Sequence, residues 1–143
     1  MIVNKEIKQK IDRLINLFLI KGVQPSDFAD NIFFDTYESI KVSKKEEHIV
    51  LEIFYLDIVE TGTIKIKLRY VYDNEKNLLS IEEKVSTKKF KKIWDRQNRK
   101  NELVAELISL LEKHVSQNEL EDFIETLPVE LKPQLKQHFK LAA

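Results

Sequence analysis

Residues His48 to Tyr72 hold two strand-like arms around Thr61-Gly62, and no other stretch so narrows what the chain can fold into. In the second arm Ile64, Ile66, Leu68, Tyr70 and Tyr72 alternate with Thr63, Lys65, Lys67, Arg69 and Val71. A period of two marks a half-buried strand, because successive side chains leave opposite faces of the pleat. The first arm, His48 to Val59, is apolar on both faces and reads as an inner strand. Gly62 can supply the positive φ of a tight turn, so a two-residue Thr61-Gly62 loop sets the expected register. Ile58 then opposes Lys65, Leu56 opposes Lys67 and Phe54 opposes Arg69.

This register sorts the hairpin into two faces. Ile49, Leu51, Ile53, Tyr55 and Val59 join the apolar side of the second arm as a core face. The other face gathers Val50, Phe54, Leu56 and Ile58 beside Lys65, Lys67 and Arg69. Two arrangements suit an apolar strip flanked by cations. Either a C-terminal helix covers it, with the lysine stems lying over its edge, or it is an open face for a partner. A slip of one residue in the loop would exchange the faces.

The rest of the chain supplies the elements around this ribbon. Asn4 can cap a helix to Lys21 whose Ile7, Ile11, Leu14, Ile15 and Phe18 share a face. Leu17, Leu19 and Ile20 make its last turns apolar nearly all round, which predicts burial on more than one side. Gly22 suits the position just past the helix, and Ser26 is placed to cap a short turn through Asp30. Phe34 to Val42 is a weaker strand and Leu78 to Val85 a fourth, with Tyr72 meeting Leu79, Tyr70 meeting Ile81 and Arg69 meeting Glu82.

From Thr87 the apolar spacing becomes helical. Phe90, Trp94, Gln97, Asn101, Val104, Ile108, Leu111 and Val115 form a heptad-like seam. A continuous helix over 87–115 is expected, since no Gly or Pro interrupts it; a break with Asn101 as a second cap is the alternative. The seam serves either packing within the chain or a homodimer registered by Asn101. Ser116 and Glu119 make a capping box for a short helix to about Leu127, stapled by Val115 and Leu120. Leu131, Leu135 and Phe139 line a final segment that Pro133 must break or restart. The expected fold is therefore α+β in a single domain, residues 1–143. It has an N-terminal helix, a four-stranded antiparallel meander, then a long helix and two short C-terminal helices.

Composition excludes some chemistry. The chain has no cysteine, so disulfides, thiolate catalysis and thiolate zinc sites are ruled out. Only two glycines occur, which argues against a phosphate-cradling loop. His48, His114 and His138 lie far apart, and neither a metal-ligand spacing nor a nucleophile elbow is present. No catalytic, cofactor or metal residue is assigned; a degenerate enzyme-like pocket around Asp57, Tyr55 and Tyr70 is a third reading. The apolar run Leu14 to Ile20 is broken by Asn16 and followed by no cleavage-type segment, so no signal peptide is expected, and it is too short for a membrane span. A cytoplasmic protein that does not engage membranes is expected.

Charge is uneven although it sums to zero. Eight cations against the single acid Asp95 fall between Lys84 and Lys100. On a helix over 84–100, Lys88, Lys92, Arg96 and Arg99 would share an arc, with Lys89 and Lys100 beside it. Clustered cations suit a phosphate backbone, but Phe90 and Trp94 would face inward and offer no stacking platform. The leading expectation is a small non-enzymatic interaction protein, of regulatory, inhibitory, immunity or accessory type. It would dock another protein, or itself, through Phe54, Leu56, Ile58, Lys65, Lys67 and Arg69 or through the helical seam. The alternative is nucleic-acid binding by Lys88, Lys89, Lys92, Arg96, Arg99 and Lys100.

Overall fold

Helix α1 (Lys5–Leu19) begins where the Asn4 side-chain oxygen accepts the Glu6 amide at 2.7 Å, the expected cap. A computed structural model describes residues 4–141. The helix ends two residues early, at Leu19, and Leu19 and Ile20, expected to be buried, are exposed. A short helix α2 (Pro25–Phe28) follows, continued by a 3-10 turn over Ala29–Phe33. Its cap is not Ser26: the Gln24 amide donates to the Asp27 carboxylate at 2.7 Å, with Pro25 inside the first turn.

The sheet is an antiparallel meander in the order β1-β2-β3-β4-β5, so the fold is α+β with five strands rather than four. The strands are β1 (Tyr37–Lys45), β2 (His48–Val59), β3 (Gly62–Tyr72), β4 (Leu78–Val85) and β5 (Lys91–Asp95). Between β2 and β3 the loop is Glu60-Thr61, since Val59 pairs with Gly62. The register thus differs by two residues from the expected one. A shift of two preserves the faces, so Ile49, Leu51, Ile53 and Tyr55 still align with Tyr72, Tyr70, Leu68 and Ile66. Between β3 and β4, Tyr70 meets Ile81 and Arg69 meets Glu82 as expected, while an irregularity brings Tyr72 to Leu78 instead of Leu79. The Asp73 carboxylate organises that loop, accepting the amides of Glu75 and Asn77 at 2.9 Å each.

Strand β5 replaces the first part of the expected long helix. Its residues pair Lys91 with Glu83, Lys92 with Glu82 and Trp94 with Ile81. Opposite charges directly across a ladder favour it, and the helical spacing of Phe90 and Trp94 is not realised as a helix. Helix α3 (Arg96–His114) starts only after it. Its buried stripe is Leu103, Val104, Leu107 and Leu111. The seam beginning at Phe90 is therefore not one helical face, and it is not a continuous heptad.

Helices α4 (Gln117–Glu125) and α5 (Lys132–His138) complete the chain. Ser116 sits at the start of α4, but its hydroxyl donates to the Glu119 carboxylate at 3.1 Å instead of accepting the Glu119 amide. Leu120 is buried and Val115 packs on the same cluster. Pro133 restarts the last helix at its first turn.

The chain divides into two compact units. One is helical, joining residues up to Leu19 with those from Asn98 onward; its core includes Ile7, Leu14, Leu107, Leu111, Ile124 and Leu135. The other spans Ile20–Gln97 and centres on Leu51, Ile53, Tyr70, Tyr72 and Leu78, with Phe28 from α2 packed on this face.

Candidate docking face of the sheet

Alternation along β2 and β3 places Phe54, Leu56 and Ile58 on the face opposite the sheet unit's core. Phe54 lies directly across from Lys67, Leu56 from Lys65 and Ile58 from Thr63. Arg69 lies across from Glu52, so the register moves each cation one pair from its expected apolar neighbour. Phe54 is 37% exposed and Ile58 73%, whereas Val50 on the same face is buried. The apolar strip therefore opens at one end of β2 only.

That end projects from the sheet. The β1 ladder stops at Tyr55, with the Leu56 amide donating to the Thr36 carbonyl at 2.8 Å, and the β4 ladder stops at Ile66. Residues 56–59 and 62–65 thus continue as a two-stranded ribbon of about 13 Å. Exposed Phe33 and Phe34 precede the Thr36 anchor, at the same end.

The cations are ordered by groups that sequence reasoning passed over. Glu52 is only 9% exposed, and its carboxylate lies 2.8 Å from the Lys67 ammonium and 4.0 Å from Arg69 Nε. The hydrogen bond from Lys67, reinforced by the charges of Lys67, Lys45 and Arg69, holds the Glu52 carboxyl below its ordinary range despite partial burial. The alternation of Val50, Glu52 and Phe54 already placed this acid among the cations.

Phe90, from the loop between β4 and β5, carries the Arg69 guanidinium 3.8 Å from its ring centroid. Lys67 lies 4.6 Å from the Phe54 centroid and 5.6 Å from that of Phe90, and Lys84 lies 5.8 Å from Phe90. Such contacts hold cations over the negative faces of the rings. Arg69 also approaches Glu82 at 3.8 Å, although its buried Nε has no hydrogen-bond partner. Lys67 and Lys84 stand directly opposite each other across β3 and β4, a like-charge pair.

The alternative basic set does not form one helical arc. Lys88 and Lys89 are exposed in the β4–β5 loop, and Lys92 pairs with Asp95 at 3.0 Å from β5. Arg96 donates from Nε to the Leu78 carbonyl at 2.7 Å and from Nη2 to those of Ile20 and Lys21 at 3.0 and 3.2 Å. Arg99 pairs with Glu102 at 3.1 Å, and Lys100 lies 5.4 Å from the Phe18 ring centroid. A strand interrupts the expected helix, which separates these side chains.

A cavity of about 680 Å³ is lined by residues including Lys21, Gln24, Tyr72 and Asp73. Its polar groups stabilise the fold: the Tyr72 hydroxyl donates to the Val23 carbonyl at 2.6 Å, and Gln24 Nε2 reaches the Gly22 and Lys76 carbonyls. Burial raises the Tyr72 phenol well above its ordinary range. Asp57 is exposed, whereas Tyr70 is buried against Phe28. Among the described residues no metal-capable cluster of three or more His or acidic side chains occurs. No helix among them is long and apolar enough to cross a membrane. Compared with protein-family models, curated proteins and solved structures, the chain matches none.

Proposed function

We propose that this protein is a non-enzymatic interaction module that docks another protein on the open end of its sheet. The supporting observation is that Ile58, on the projecting ribbon, and Phe54, just inside it, stay exposed on a strand whose residues 50–53 are buried. Exposed apolar area beside ordered polar groups is the usual composition of a recognition surface. The test is capture from nuclease-treated native lysate with the wild-type chain and with Ile58→Ser. A partner retained by the wild type and lost with Ile58→Ser supports the reading. Capture indifferent to both Ile58→Ser and Phe54→Ser refutes it.

A second reading is polyanion binding, favoured by Lys88 and Lys89 exposed in the loop next to Phe90. It predicts nucleic-acid affinity that falls steeply with salt. Gel shifts at low salt with the wild type and with Lys88→Glu/Lys89→Glu measure it, and absence of any shift excludes it.

A further inference from the structure

We infer that the occupant of this face is an acidic amphipathic segment of a partner protein, an inference that rests on the docking role proposed above. Phe54, Leu56 and Ile58 project at every second residue, about 7 Å apart. They accept apolar side chains along β2. The neighbouring strand presents Lys65 and Lys67 at about 5 Å to one side, and Lys84 lies one strand further.

The charges on the face do not balance within it. Glu52 is engaged by Lys67, and Glu82 is the nearest acid to the Arg69 fork. Lys65 and Lys84 have no carboxylate within ion-pair distance among the described residues. The directly opposed Lys67 and Lys84 repel, and a carboxylate placed between them would relieve that repulsion. A segment with apolar residues on one side and Asp or Glu on the other meets both requirements.

Nucleic acid fits less well. Arg69 lies over the Phe90 ring and Lys67 over the Phe54 ring, so these aromatics are engaged where bases would stack. Leu56 and Ile58 are aliphatic and provide no such platform.

The experiment pans random 12-residue displayed peptides against the full chain. Selected peptides are then measured against Ile58→Ser and Lys65→Glu/Lys84→Glu, with poly(U) RNA and phosphatidylserine vesicles assayed in parallel. The expected peptides combine large apolar residues with excess Asp or Glu. They lose about tenfold or more in affinity in either variant, and weaken as salt screens the lysines. Neutral or basic peptides that need Ile58 but ignore the lysine reversal overturn the acidic occupant and leave the docking face standing. No peptide dependent on Ile58 overturns the docking face as well. Binding of RNA or vesicles alone, lost in the lysine variant, replaces both with a phosphate-bearing polyanion.

Discussion

Gly22 shows how closely single positions are constrained in the sheet unit. Its φ is +94°, and a Cβ there would lie 2.8 Å from that of Leu78. Gly22→Ala therefore meets both backbone strain and a clash, and should lower stability by about 1–3 kcal/mol, read from urea denaturation. Glu52 makes a different prediction because its effect depends on pH. Its native pKa is depressed below the ordinary value of 4.5, so the unfolded chain binds the proton first as acid is added. The pair with Lys67 thus contributes fully above that value, and the contribution disappears as pH falls through the native one. Glu52→Gln should cost about 1–3 kcal/mol at pH 7. Its deficit against the wild type should shrink in denaturation curves taken at successively lower pH through the acid range.

Whole elements differ in how much of their cause is local. The β2–β3 hairpin was legible because alternation and a turn glycine lie within one stretch, and a loop error of two residues left its faces unchanged. The cap at Asn4 and the start of α4 at Ser116 were legible for the same reason, although the Ser116 hydroxyl does not make the expected capping bond. Strand β5 was not, since its five residues are held by partners about ten residues earlier on β4. Phe90 and Trp94 matched a helical spacing by coincidence, and the proposed seam and basic arc both inherited that misreading. The ladder itself can be tested by a double-mutant cycle on Glu82 and Lys92. Glu82→Lys and Lys92→Glu should each destabilise, and the double swap should recover about 0.2–1 kcal/mol of coupling. Additive effects would mean that the pairing of β5 owes nothing to these charges. The candidate face was legible in its apolar and cationic members, but Phe90 reaches it from a loop, which no periodicity reports.

Across the whole molecule, the helical unit takes its core from both ends of the described chain, with Ile7 and Leu14 set among residues beyond Leu103. Residues 20–97 intervene as a folded excursion. Arg96, near the exit of that excursion, binds the carbonyls of Ile20 and Lys21 at its entrance. Arg96→Ala should cost about 2 kcal/mol or more in equilibrium stability, because charge-assisted bonds to three carbonyls are lost together. Stopped-flow refolding should show a slower phase for the helices in the same variant. With its two mouths fastened, an excursion of nearly eighty residues behaves as a short tether, which lowers the entropic cost of bringing the outlying helical segments together by about 2 kcal/mol. One arginine side chain thus helps to draw the entrance and exit of this excursion together.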